Sequence, residues 1–244
     1  MEFNPIGYIQ TGFIDKFGTP RQPGLVRGAR AELKIRRDLQ PELALQGLEG
    51  YSHLWLIFVF HKNENLRYHP KVHPPRLNDQ SIGVFATRSP HRPNPIGLSL
   101  VELVAIKSDT LILNSPDLVN GTPILDIKPY IPQIESRPEA LSGWSQEVTE
   151  NSIAVEFSAE AQEVLNRWQG SLPEIDLYNH IKDVVALDPR PLVYRGYEGT
   201  KSPFRQEHRV RLYDSDIHFE FTTAESAVVH RILWPFTEVP TSNS

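Results

Sequence analysis

Six short runs of β-branched and aromatic residues dominate the first half of the chain and set its fold class. They are "FNPIGYIQTGF" (3–13), "AELKIR" (31–36), "LWLIFVF" (54–60), "IGVFATR" (82–88), "IGLSLVELVAI" (96–106) and "TLILN" (110–114). Each is bounded by Gly, Pro, Asn or Asp, the punctuation of strands. No helical pattern of 10–15 residues alternates with them, which argues against a doubly wound parallel sheet. Strands at this spacing predict a closed or nearly closed barrel. "LWLIFVF" is apolar at every position, as expected of a strand covered on both sides. The 21 prolines against 14 glycines point the same way. Proline removes a backbone donor and stops helix interiors, so the excess favours short, turn-rich elements.

The character changes near residue 150. "SRPEALSGWSQEVTENS" is polar and reads as a connection. "IAVEF" and "SAEAQEVLNRW" follow. In the latter, Ser158 can cap a helix, Glu160 puts negative charge in its first turn, and Ala161, Val164, Leu165 and Trp168 form one apolar face. "PEIDLYNHIKDVVALDPRP" predicts a second helix, ending before Pro189. "HRVRLYD", "IHFEFTT" and "AVVHRILW" predict strands. The expectation is a mainly β protein, with a β-barrel-like domain over 1–150 and a small α+β domain over 151–244.

The absence of cysteine removes disulfides and thiolate metal sites and suits a reducing cytoplasm. No apolar stretch follows a basic start, so no signal peptide is expected. The longest apolar run, Leu54–Phe60, falls far short of the roughly 20 residues a bilayer requires, so no membrane partner is expected. The net charge of −5 hides a local reversal. Between His61 and Pro95, Lys62, Arg67, Lys71, Arg76, Arg88 and Arg92 face only Glu64 and Asp79. His61, His69, His73 and His91 lie there too. An acidic protein thus carries one basic, proline-rich section.

Several common chemistries are missing. No two glycines stand two positions apart, so the dinucleotide-binding turn and the usual Rossmann methyltransferase turn are absent. There is no Walker loop and no nucleophile elbow. His69 and His73 are four apart, but Pro70, Pro74 and Pro75 oppose a helix that would align them as metal ligands, and no metal is expected.

Three segments carry positive signals. In "GVFATRSPHRPNPIG" (83–97), Pro90, Pro93 and Pro95 fix their own φ and extend the residues before them, making a stiff ribbon that presents Arg88 and Arg92. A guanidinium is a planar fork suited to carboxylate or phosphate. "PRQPG" (20–24) is a smaller version, one arginine and one amide between prolines. "SPDLVNGTPILDIKPY" (115–130) turns at Asn120–Gly121, offering backbone groups that can read a base edge. Asp126, Lys128 and Tyr130 alternate, so a strand puts all three on one face, either as a functional trio or as a salt-bridged barrel exterior.

Together with "GLEGYSHLWLIFVFH", "PPRL" and "DPRP", these stretches resemble the TrmO family of tRNA methyltransferases, which methylate threonylcarbamoyladenosine next to the anticodon. The likeness runs in order from Pro20 to Pro191. It implies S-adenosyl-L-methionine as cofactor without a Rossmann fold, a β-barrel first domain, tRNA with its anticodon loop as partner, and a homodimer. By motif it places the cofactor against Pro20, Arg21, Gln22, His61, Lys62, Arg88, Leu98 and the turn Asp117, Leu118, Val119, Asn120, Gly121. Arg88 takes the methionine carboxylate or a neighbouring polar edge, and Leu98 an apolar part. The implied acceptor is an exocyclic nitrogen conjugated to a carbamoyl group, so removing its proton helps it attack. Asp126, Tyr130 and His91 are candidate bases, beside the substrate's own carboxylate. Arg67, Lys71, Arg76, Arg92 and Lys128 are candidates for RNA phosphates. The alternative is a non-catalytic sensor of S-adenosylmethionine or a nucleotide.

Overall fold

A computed structural model describes residues 2–63, 68–74, 77, 80–146, 153–190 and 207–235. Six strands close into a barrel in the order β1 (Gly7–Thr11), β2 (Arg30–Ile35), β7 (Thr110–Asn114), β6 (Ile96–Lys107), β3 (His53–Val59), β8 (Pro123–Pro129), numbered along the chain. Every neighbouring pair is antiparallel. Closure leaves no barrel edge to pair with other chains. One-turn helices lie in the β2–β3 connection (α1, Pro41–Ala44) and after β8 (α2, Pro132–Glu135). The fold class is as the sequence predicts, with no Rossmann unit.

Two strand expectations are refined. In β3, Leu54, Leu56 and Phe58 are buried inside the barrel, while Trp55, Ile57 and Val59 point outward and are only half-buried. The strand is therefore fully covered on one face, not both. "IGVFATR" supplies only the two residues of β5 (Ile82–Gly83), paired with β4 (Lys71–Val72). The chain then tightens into a 3₁₀ turn over Val84–Ala86, because the amide and hydroxyl of Thr87 both donate to the Val84 carbonyl (3.1 and 2.8 Å).

One position on β6 requires glycine. Gly97 lies opposite Phe58, and a Cβ there would clash with the Phe58 ring. The absent side chain lets β3 and β6 approach at the barrel mouth.

The second unit is a four-stranded sheet in the order β10 (Glu207–Leu212), β11 (Ser215–Thr223), β12 (Ser226–Leu233), β9 (Ala154–Phe157), with β9 parallel to β12. Helices α3 (Ala159–Gln169) and α4 (Leu177–Ala186) bury their apolar stripes against it. Ser158 caps α3, accepting from the Ala161 amide at 3.1 Å. Asp176 caps α4, accepting from the Asn179 amide at 3.1 Å.

The core of this second unit extends into the first. Phe13, Val26 and Ala29 pack with Trp168, Ile181 and Leu212. The Tyr213 amide donates to the Gly12 carbonyl at 2.7 Å. The segment from Gly12 to Ala29 is thus held between the barrel and the helix-covered sheet. The boundary expected at residue 150 lies outside the described residues. Among those residues, no helix is long and apolar enough to cross a membrane.

Candidate active site

The stiff segment 83–97 is a strap running from β5 into β6. It is tied to the residues after β3 by the Phe60 amide donating to Pro95 O (2.8 Å) and by Asn63 Nδ2 donating to Pro90 O (3.1 Å). Trp144 Nε1 holds its first turn through Ala86 O at 2.8 Å. The two arginines differ. Arg92 folds back, donating to Thr87 O (2.9 Å) and Ser89 O (3.3 Å), with its guanidinium 6.0 Å from the Phe85 ring centroid. Arg88 is exposed. His91 stands exposed at the bend, its amide donating to Ser89 Oγ.

The Asp117–Gly121 turn closes the barrel mouth. Leu118 is 2% exposed and packs into the barrel core, so its side chain is structural and only its backbone can meet a ligand. The Asn120 and Gly121 amides, expected to be available, instead donate to Phe13 O (2.7 Å) and Ile9 O (2.8 Å). Asn120 Oδ1 accepts from the Thr11 amide at 3.1 Å. These bonds tie the turn to the end of β1, because a loop entering a barrel must satisfy its buried backbone locally.

Asp117 links the turn to β6, the strand into which the strap runs. Its carboxylate accepts from Ser99 Oγ at 2.5 Å, and Ser99 points into the barrel from β6 between Gly97 and Val101. Burial pushes the Asp117 carboxyl above the usual carboxylate range, while the Ser99 hydrogen bond and the Arg88 charge oppose that rise. The strap cation and the turn therefore lie within electrostatic reach of each other. Next along β6, Leu98 faces outward and is 52% exposed.

Segments 12–24 and 61–62 are tied to each other. Lys62 Nζ donates to Ile14 O at 2.6 Å. The neighbouring His61 imidazole is held below its ordinary value, chiefly by partial desolvation and then by the Lys62 and Lys16 charges. The Gly24 amide donates to Ser115 O at 3.0 Å, with Gly24 in the left-handed region (φ 83°), which draws "PRQPG" towards the turn. Pro20 is buried; Arg21 and Gln22 are exposed.

Asp126, Lys128 and Tyr130 share the outer face of β8. Asp126 and Lys128 form an ion pair at 2.9 Å, and Tyr130 packs edge-on against Trp55 (5.9 Å) and His53 (6.5 Å). Asp126 pairs with Ile57, which pairs with Leu98, so Asp126 and Leu98 sit two strand spacings apart, about 10 Å. Lys71 is exposed on β4. Arg67 and Arg76 lie outside the described residues. Among those residues no group of three or more His, Asp or Glu is arranged to hold a metal ion.

S-adenosylmethionine carries a carboxylate, a sulfonium, ribose hydroxyls and a flat base. The region offers an exposed guanidinium, an exposed leucine, a carboxylate and the backbone of a fixed turn. These residues fit the group. Sequence reasoning missed Ser99, although a hydroxyl on the inward face of an apolar strand signals a buried partner.

Comparison with known proteins follows the same division of the chain. Residues 8–136 match the tRNA-methyltransferase O N-terminal domain, and 150–233 match the TrmO C-terminal domain. The tRNA (adenine(37)-N6)-methyltransferase of Escherichia coli (strain K12) is 42% identical over 228 residues, covering 91% of this chain and 94% of that protein. RcsF of Pseudomonas aeruginosa, whose name describes an S-adenosylmethionine-dependent methyltransferase, is 39% identical over 219 residues, 89% of this chain and 91% of that one. The crystal structure of TrmO from P. aeruginosa superposes with a TM-score of 0.78 at 34% identity, covering 96% of this chain and 98% of that one.

Proposed function

The chain belongs to the TrmO family of tRNA methyltransferases, and from that membership we propose how its own residues serve the reaction. It is an S-adenosylmethionine-dependent tRNA methyltransferase acting on the exocyclic nitrogen of the adenosine next to the anticodon. In our reading the adenosine is threonylcarbamoyladenosine, met in the cytoplasm. One observation supports the placement of the site: the Ser99–Asp117 hydrogen bond joins the turn to β6, the strand into which the strap runs.

When bound, S-adenosylmethionine supplies an electrophilic methyl that needs no further activation. The protein's task is alignment and exclusion of water, with reacting atoms held about 3–3.5 Å apart. Arg88 would receive the methionine carboxylate, Leu98 would lie against an apolar part of the cofactor, and the Asp117–Gly121 turn, His61, Lys62 and Pro20–Gln22 would hold the remainder. The acceptor nitrogen is conjugated to a carbonyl and attacks well only as its proton leaves. Asp126 is the first candidate for that proton, being register-matched to Leu98 across β3. Tyr130, His91 and the substrate's own carboxylate are the others. The bound cofactor would supply the methyl to nitrogen, the base would take the proton, and S-adenosylhomocysteine would be released. The anticodon loop is single-stranded, so presenting the base costs little unpairing. Lys71 and Lys128, with Arg67, Arg76 and Arg92, supply positive charge for its phosphates, and the C-terminal domain aids tRNA binding.

A second copy of the chain completes the assembly. The outer face of β6 carries Ile96 at 41% exposure beside its half-buried partner Val59 on β3, apolar surface suited to a homodimer.

The test is incubation with S-adenosylmethionine and tRNA, followed by mass analysis of the nucleosides. One methyl added to threonylcarbamoyladenosine, with equimolar S-adenosylhomocysteine, is expected. Equal methylation of tRNA lacking the threonylcarbamoyl group would remove the substrate reading. Binding without S-adenosylhomocysteine would favour the sensor.

A further inference from the structure

The loop bearing Pro20–Gln22 is held by the second unit. Arg21 Nη2 donates to the carbonyl of Asp188 at 3.2 Å, in the turn that ends α4. Asp188 is in the left-handed region (φ 50°). Its carboxylate accepts from the Arg190 amide (3.3 Å), Nε (2.7 Å) and Nη2 (3.0 Å), a two-pronged grip around Pro189. The Arg190 side chain is 7% exposed, with its guanidinium carbon 3.5 Å from the Phe221 ring centroid on β11. A buried guanidinium held by a bidentate carboxylate and an aromatic floor has little freedom. The Asp188 carbonyl is therefore fixed in space. The same loop meets α4 again where the Arg27 amide donates to Asp183 Oδ2 at 3.3 Å.

We propose that Asp188 and Arg190 are positioning residues for methyl transfer. They set the carbonyl that receives Arg21 and so hold Pro20–Gln22 against the cofactor. The inference rests on the reading that this loop borders the cofactor cleft. It gives the C-terminal domain a second task beside tRNA: completing the cofactor site of its own chain.

The test is a double-mutant cycle in the full chain, reading S-adenosylmethionine affinity by calorimetry. Arg190→Gln weakens binding about tenfold in the wild-type background and less than twofold in an Arg21→Ala background, because its effect passes through Arg21. Phe221→Leu, which removes only the aromatic floor, gives the same pattern with smaller amplitude and serves if Arg190→Gln does not fold. An equal loss in both backgrounds, or no loss in the wild type, would overturn the proposal. Arg88→Ala run alongside separates the two readings: if it abolishes binding while Arg190→Gln does nothing, only the hook fails; if neither matters, the cleft is misplaced and both fail.

Discussion

Ser99 and Asp117 are hydrogen-bonded at the mouth of the barrel, a serine hydroxyl reaching from β6 to a carboxylate in the loop after β7. The bond fixes the turn to the strand whose next residue, Leu98, faces the proposed cofactor. Burial pushes that carboxyl above the usual carboxylate range, and the serine hydroxyl opposes the rise.

Replacing Ser99 by alanine leaves that carboxylate short of its donor. The expected loss is roughly 1–3 kcal/mol in urea unfolding. The sign with pH follows from Asp117, whose folded pKa already lies above its unfolded value. Losing the donor raises it further, so the deficit is larger at pH 8 than at pH 5. A deficit independent of pH would mean that Ser99 does not act on the charge of Asp117.

His180, buried in α4 beside Tyr213, has its imidazole pushed below the ordinary value, chiefly by burial, with the backbone of Gly28 and Arg27 opposing. The unfolded chain therefore binds a proton at higher pH than the fold does. Stability is retained above the unfolded pKa of about 6.5 and declines as pH falls below it. His180→Gln flattens that decline by up to about 1.4 kcal/mol per pH unit, read from denaturant midpoints at pH 7 and 5.5. An unchanged slope would show that the imidazole titrates normally.

Gly97→Ala forces a methyl against the Phe58 ring. Overpacking of this kind costs roughly 1–3 kcal/mol, and Phe58→Leu in the same chain recovers part of it, as thermal melts would show. Equal melting of Gly97→Ala and wild type would mean that the ring moves aside freely.

Asp126→Asn removes a surface ion pair with Lys128, so folding free energy changes by less than about 1 kcal/mol. If the carboxylate takes the acceptor's proton, kcat falls about a hundredfold or more while the S-adenosylmethionine affinity holds. Unchanged kcat would pass the proton to Tyr130, His91 or the substrate.

Runs of β-branched and aromatic residues bounded by turn residues, such as Leu54–Phe60 and Ile96–Ile106, made the barrel readable, and Ser158 with the three-and-four spacing after it made α3 readable, because both signals are local. Other features depend on contacts remote in sequence. Leu118 reads as part of a ligand-facing turn until the barrel mouth is seen to need a plug. Arg92 reads as a free cation until the strap bends and two carbonyls meet it. The sharing of Phe13, Val26 and Ala29 with the second core, and the reach of Arg21 to Asp188 across 167 residues, leave no periodic trace. "DPRP" marked the place without telling its use.

Arg88 is the residue on which the proposed cofactor site most directly depends. Calorimetric titration of S-adenosylmethionine into Arg88→Ala, beside a melt showing the fold intact, should give no measurable binding where the wild type binds. Wild-type affinity in that variant would mean that the strap does not border the cofactor.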